Sequence, residues 1–381
     1  MLTEEHEMFR STVRGFVESE ITPHADEWEA EGMFPAAELF AKMGDLGLLG
    51  LTYEPRFGGG GAEPIFTAIL HEELGRMPCL GVAMAIGVQT DMATPSLHRF
   101  GTDELRERYL RPAIEGRHVA AVGITEPDAG SDVAAIRTRA VRDGDEWVIS
   151  GQKLYITNGL QADWVCVLAR TSDEPGARGM SQIIVPTDAP GFSVSRKLDK
   201  LGMRSSDTAE LAFDEVRVPA DHLIGDEGRG FHQQMQQFQD ERMVAAYQMV
   251  GAMDTALVRT GEYLRERLAF GRPLIANQSL AYDLAELASE VELLRVFCRH
   301  VAEEQGRGSD ITRLATIAKL RSGRLARRVA DTCLQFHGGV GYMEETWTAR
   351  FFRDTRLWSI GGGADEVMLR TLARLDGFWP E

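Results

Sequence analysis

The chain has 381 residues, 44% hydrophobic and 26% charged, enough apolar material for a packed core shared by more than one structural unit. Its formal net charge of −17, from 58 acidic against 41 basic residues, disfavours nucleic acid or an anionic membrane surface as a main partner. Cys79, Cys166, Cys298 and Cys333 show no metal-ligand spacing and read as buried thiols of a reducing compartment. The N-terminal "MLTEEHEMFR" is acidic rather than signal-like, and "CLGVAMAIGV" is too short to cross a bilayer, so a soluble cytoplasmic protein is expected.

Residues 1–117 are expected to be helical. Met8, Phe9, Val13, Phe16, Val17 and Ile21 recur at helical spacing, Pro23 ends that helix, and "FPAAELFAKMGDLGLLG" continues in the same style. The loop "YEPRFGGGGAEP" follows no strand and ends in no GK[ST], which makes it a weak phosphate cradle. Over 118–224 the runs "HVAAVGI", "DEWVISGQKLYITN", "DWVCVLART", "SQIIVPT" and "AELAFDEVRVP" are short and β-branched, predicting a small β-barrel or sandwich. Over 225–381 helical spacing returns, with Leu284, Leu287, Val291, Leu294 and Val301 forming one stripe, as expected of a four-helix bundle. The fold class is therefore α+β, with helical, β and helical domains in that order.

Several stretches carry polar chemistry. "ITEPDAGSDV" sets the hydroxyls of Thr125 and Ser131 and the amides around Gly130 at a strand end, where a ligand or a plain Asp turn would serve equally. "KLYITNG" puts Tyr155 and Thr157 on one side of a strand, either to flank a flat heteroaromatic ring or as an ordinary pair. Arg267, Phe270 and Gln278 surround a Gly-Arg-Pro break, and Gln335 precedes the Gly338-Gly339 interruption, where helix starts suit anions. The basic run "SRKLDKLGMR" holds Arg196, Lys197, Lys200 and Arg204, which read as a solvated face or a site for one anionic ligand.

In this order and spacing, "ITEPDAGSDVAAIRT", "GQKLYITNG", "KLGMRSSDTAELAFDEVRVP", "RERLAFGRPL…Q", "QFHGGVGYMEE" and "GGGADEVMLRTLAR" resemble the acyl-CoA dehydrogenase family along the whole chain. The resemblance implies FAD, an acyl-CoA thioester substrate, α,β-desaturation, re-oxidation by an electron-transfer flavoprotein, and a homotetramer in which FAD spans two subunits. It implies that Thr125 meets the flavin's pyrimidine edge, Ser131 the FAD phosphates and the pantetheine, and Thr157 the flavin N5. Tyr155 would pack beside the isoalloxazine, where the family more often has Trp. Arg267, Phe270, Gln278, Gln335, Gly338 and Gly339 would reach the neighbouring subunit's FAD, while Gln239 and Arg242 would fall on the substrate side. Glu366 stands where the family uses a polar cofactor contact, and Ala364 lacks a hydroxyl often found there.

The chemistry needs a base that removes an α-proton while a hydride leaves the β-carbon, together with a donor for the enolate-like oxygen. Many members place the base in a Tyr-Glu-Gly-Thr motif; aligned on Ile360, this chain has Gly362 at the Glu position. The Gly362 N–H remains available to the thioester oxygen. Asp365 and Glu366 are accounted for by helix capping and dipole complementarity. Isovaleryl-type and long-chain-type members carry the Glu on an earlier helix, which here is "QQFQDERMVAAYQ". Glu241 is the expected base and Asp240 the second candidate, although a Glu beside the stripe Met235, Phe238, Arg242, Ala246, Met249 and Met253 is ordinarily solvated. Ala83, Met84, Ile86, Gly87 and Val88 suit a long or methyl-branched acyl group, or form a core helix. The "GGGADEV" ending resembles long-chain and citronellyl-like members. An acyl-CoA oxidase, a non-catalytic acyl-CoA-binding flavoprotein and a carrier-protein thioester as substrate are the alternatives.

Overall fold

The computed structural model describes residues 2–379. The first helix, Glu4–Phe16, starts in a capping box between Thr3 and His6 and buries Val13 and Phe16, while Val17 and Ile21 continue the buried face through a π-turn. Met8 lies off that stripe and is exposed. Helices Ala36–Asp45, Pro64–Leu74 and Leu80–Gly87 follow. The glycine-rich loop is tied down by its own backbone: the Gly60 N–H donates to Gly50 O at 2.9 Å and the Gly61 N–H to Tyr53 O at 2.9 Å. It is a packed turn.

Eight strands form one sheet: β1 Ala120–Gly123, β2 Arg139–Asp143, β3 Glu146–Thr157, β4 Trp164–Arg170, β5 Met180–Pro186, β6 Phe192–Lys197, β7 Thr208–Pro219 and β8 Leu223–Ile224. The order is β6-β7-β3-β2-β4-β5-β8, with β1 parallel to β4. β2 touches β4 only at Arg139 and Arg170, and the edge strands β6 and β8 do not pair with each other, so no barrel closes. The sheet still bends over one core, in which Val165 and Ile183 meet Leu211 and Phe213. β4 and β5 are buried almost throughout, because Trp164, Cys166 and Ile184 face the N-terminal helices while the alternate residues face the β core.

Three long helices dominate the remainder: Gly230–Glu266, Gln278–Gly306 and Thr312–His337. The short helices Trp347–Thr355 and Asp365–Leu375 pack on the third, and Pro64–Leu74 lies against the first two. The bundle thus borrows a member from the N-terminal segment, where four helices of the C-terminal segment alone were expected. Leu287, Val291, Leu294 and Val301 are buried as their spacing predicts. The first half of the longest helix departs from its predicted stripe: Met235 and Phe238 are half-buried, whereas Gln233, Gln234 and Gln237 are buried. Each amide bonds to another segment, although the Gln233 Oε1 is buried without a partner. Gln237 takes the Ser96 N–H at 3.1 Å, Gln234 receives Gln182 at 2.8 Å, and Gln233 donates to Ile224 O at 3.2 Å.

Where Pro64–Leu74 crosses Gly230–Glu266 the two backbones touch. A Cβ on Gly251 would lie 1.9 Å from Glu72 O, and one on Gly75 would lie 2.0 Å from Gln248 O. Gly251→Ala must therefore push the helices apart. It should cost roughly 1–3 kcal/mol, read as a lower thermal unfolding midpoint.

Candidate active site

The turn before the last helix is bare backbone. Gly362 and Gly363 have φ of +63° and +105°, conformations that a side chain strains, and the Gly362 N–H has no acceptor among the described residues. The space where a Gly362 side chain would project is taken by the Glu241 carboxylate: Oε1 lies 3.2 Å from an ideal Cβ on Gly362. Glu241 makes no ion pair and accepts no hydrogen bond among the described residues, and it is half-buried. Burial raises its carboxyl above the usual range, partly offset by the Arg242 and Lys319 charges.

Asp240, one residue earlier, points elsewhere. Its Oδ2 pairs with Arg99 at 2.6 Å and its Oδ1 accepts from Gln305 at 3.0 Å. It faces a cavity of about 240 Å³ that Asp91, His98, Val244 and Tyr247 also line. Arg242 has no carboxylate partner among the described residues; its Nη1 donates to Thr316 Oγ1 at 3.3 Å and its Nε is buried without a partner. Gln239 donates to Thr312 Oγ1 at 2.7 Å. Asp365 turns out not to cap its helix: it is buried and pairs with Arg327 at 3.0 Å and Arg324 at 3.5 Å, while Glu366 is exposed.

A second group sits at the strand ends. The loop carrying Thr125 and Ser131 is clamped by Glu126, which accepts the Arg137 N–H at 2.6 Å, the Thr138 N–H at 3.0 Å and the buried Lys153 ammonium at 2.8 Å. Burial lowers Lys153 to about 8, while Lys153 and the two amides hold Glu126 low. Nothing in the motif pattern singles out this pair. Thr125 and Thr157 are half-buried and Ser131 is exposed. A bulge between Lys153 and Ile156 interrupts the regular alternation expected of Tyr155 and Thr157, with Tyr155 at φ +63° and 66% exposed.

The third group gathers at one end of the bundle. Arg267, Phe270 and Gln278 are exposed around a short hairpin at the end of the longest helix. The Tyr263 ring of that helix stacks on His337 at 4.2 Å, next to Gln335, Gly338 and Gly339, which are also exposed. Phe270 stands at φ +53° with its side chain wholly open, and no atom lies within 4 Å of a Cβ built on Gly338 or Gly339. Solvent-facing aromatics in strained backbone, open glycine turns, hydroxyls and an arginine form a donor set that fits a cofactor with a flat ring and a pyrophosphate.

The basic run is not a free anion site. Lys200 is mostly enclosed and donates to Ser206 O at 2.6 Å, Arg196 pairs with Glu210 at 3.5 Å, and Arg204 pairs with Glu344 at 3.8 Å. Ala83, Ile86 and Gly87 belong to a core helix, with only Met84 half-buried.

Three family models match the chain: the acyl-CoA dehydrogenase N-terminal domain over residues 3–117, the middle domain over 121–216 and the C-terminal domain over 228–375. The chain belongs to the acyl-CoA dehydrogenase family, FAD-dependent oxidoreductases that act on CH–CH bonds. It is 36% identical to the mouse long-chain specific mitochondrial acyl-CoA dehydrogenase over 98% of this chain and 87% of that protein. The acyl-CoA dehydrogenase of Geobacillus kaustophilus superposes with a TM-score of 0.94 at 39% identity, covering 98% of each chain. A Mycobacterium smegmatis glutaryl-CoA dehydrogenase in complex with FADH2 superposes at 0.92 with 29% identity, covering 99% of this chain and 95% of that one. Among the described residues, no helix is long and apolar enough to cross a membrane.

Glu126→Gln would leave the Lys153 ammonium buried without its counter-charge. A loss of about 3–5 kcal/mol is expected, measured as a lower unfolding midpoint together with weaker FAD retention.

Proposed function

We propose that the protein desaturates an acyl-CoA thioester between its α- and β-carbons, with Glu241 as the base and the Gly362 N–H as donor to the thioester oxygen. The observation that carries this reading is the unpartnered Glu241 carboxylate lying 3.2 Å from where a Gly362 Cβ would be. Glu241 takes the α-proton, the C–H electron pair moves toward the carbonyl, and the free amide stabilises the oxygen where charge gathers. FAD, when bound, would supply the acceptor for the β-hydride, whose departure lets the α electron pair close the Cα–Cβ double bond. Thr125, Ser131, Tyr155 and Thr157 would hold it from one subunit. Arg267, Phe270, Gln278, Gln335, Gly338 and Gly339 would hold it from another, with Glu366 at the edge of the site.

Arg242 would bind an anionic part of the CoA moiety, since a buried guanidinium without a carboxylate is costly to leave uncompensated; Gln239 and Ser131 would line the same substrate path. The acyl group would be long or branched, with electrons passing on to an electron-transfer flavoprotein. A homotetramer would cover the exposed Leu268, Phe270, Tyr282 and Leu293 of the hairpin and second long helix. Light scattering should then give four times the chain mass, and a monomer would refute the shared FAD site.

Glu241→Gln should keep its FAD yet bleach with acyl-CoA under anaerobic conditions at least about 10²-fold more slowly. Wild-type bleaching in that variant would refute the assignment, and a non-catalytic binding protein would bleach in neither form. Because burial raises the Glu241 carboxyl, its basic form is lost as pH falls through a value above that of a free glutamate, so kcat/KM should decline on that acidic limb. Peroxide formation during aerobic turnover separates an oxidase from a dehydrogenase.

A further inference from the structure

We propose that Lys319 is a positioning residue of this reaction, whose ammonium holds the glycine turn through the Gly363 carbonyl and supplies the positive charge beside the base. The inference rests on the reading of Glu241 and Gly362 given above.

Thr312, Thr316, Lys319 and Gly323 follow one another at intervals of four, three and four, and so share one face of the Thr312–His337 helix. Every one of them meets the site. Thr312 receives Gln239, and Thr316 receives Arg242, so the helix carrying the base is registered against this face. Lys319 Nζ donates to Gly363 O. A Cβ on Gly323 would lie 2.7 Å from Trp358 O, so the backbone entering the turn runs directly over the helix. One face therefore fixes the distance between the two walls that Glu241 spans.

Lys319 is fully buried, and Gly363 O is the sole hydrogen-bond acceptor for its ammonium among the described residues. No carboxylate lies within ion-pairing distance of it there. A buried ammonium with so little compensation is expensive for a merely structural device. The charged groups facing it are Glu241 and Arg242 from the longest helix, and Asp365 and Glu366 from the last helix, with Asp365 already paired to Arg324 and Arg327. Of the three anions, Asp365 is paired and Glu366 is exposed to solvent, which leaves Glu241 as the one on the substrate side. When Glu241 takes up the α-proton and charge gathers on the thioester oxygen beside the turn, the same ammonium faces both the carboxyl and the nascent anion. Its hold on Gly363 also keeps Gly362 and Gly363 in their left-handed conformations, and so keeps the Gly362 N–H free.

Burial brings Lys319 to about 8, so the free enzyme should lose this charge, and with it part of its rate, as pH rises through that region.

The test uses the flavin-loaded enzyme as wild type, Lys319→Met and Lys319→Arg. The readouts are kcat and KM across pH, binding of a non-reactive 2-enoyl-CoA by calorimetry, and the thermal midpoint. Lys319→Met should lower kcat about tenfold or more with a smaller change in KM. It should move the acidic limb of kcat/KM upward, because Glu241 loses a stabilising cation, and remove the alkaline limb near pH 8. Lys319→Arg should keep the acidic limb in place and shift the alkaline limb out of range. The proposal is overturned if Lys319→Met keeps the wild-type limbs, or if it only lowers the midpoint and enoyl-CoA binding in step. Where Lys319→Met does not fold, an unchanged alkaline limb in Lys319→Arg overturns it alone. Glu241→Gln that still turns over would instead sink the base assignment and leave these pH profiles separately readable.

Discussion

A carboxylate reaching from one helix into the space another segment leaves empty is the constraint on which the site depends. Glu241 and Gly362 belong to elements 121 residues apart in sequence, yet the side chain of one fills the volume that the other lacks. Both halves are necessary. A side chain at Gly362 would be strained at φ +63° and would collide with Glu241, while a shorter residue at 241 would leave the turn facing an empty pocket. Under the proposed assignment, the base would change address within the fold while the turn stays bare and keeps its N–H.

Holding two separate elements at that spacing falls to the helix between them. Its site-facing residues are small or singly hydrogen-bonding, so the longest helix and the glycine turn settle against it at fixed depth. Internal polarity recurs on every side of the ligand region. Lys153 with Glu126 stiffens the strand-end loop, buried glutamines anchor the start of the longest helix, and Arg99 with Asp240 closes the far cavity. Buried charges and amides of this kind cost free energy unless each meets a partner, and a partner exists only in one arrangement of the segments. The polar network thereby selects the geometry that apolar packing alone would leave loose.

The remaining candidate residues divide by location and by exposure. Thr125 and Thr157 are half-buried at strand ends, whereas Phe270, Gln335 and the Gly338-Gly339 turn stand open at one end of the bundle. Aromatic side chains held out in left-handed backbone are unfavourable for an isolated chain. Their placement is physically reasonable when a flat ligand or a second subunit covers them.

Much of this is legible in the sequence. Period-3.6 burial of Leu287, Val291, Leu294 and Val301, and the β-branched runs of the middle segment, follow from local hydrophobic patterning. Local pattern reports which face of an element avoids water, and little else. The missing Glu at Gly362, read with the Glu-Arg pair at 241–242, was enough to nominate the base. Sequence could not reveal that Lys200 is enclosed within a basic run, that Tyr155 sits in a bulge, or that the sheet stays open. Nor could it distinguish Lys319 from the other basic residues of "RLATIAKLRSGRLARR". A charged residue is buried or solvated according to partners supplied by remote segments, and the acceptor for Lys319 lies 44 residues away. The sequence by itself determined the order of helical and β segments, their buried faces and the vacancy in the turn. Tertiary structure alone decided which charges enter the interior, because only packing brings a cation and its carbonyl close enough to offset the loss of water.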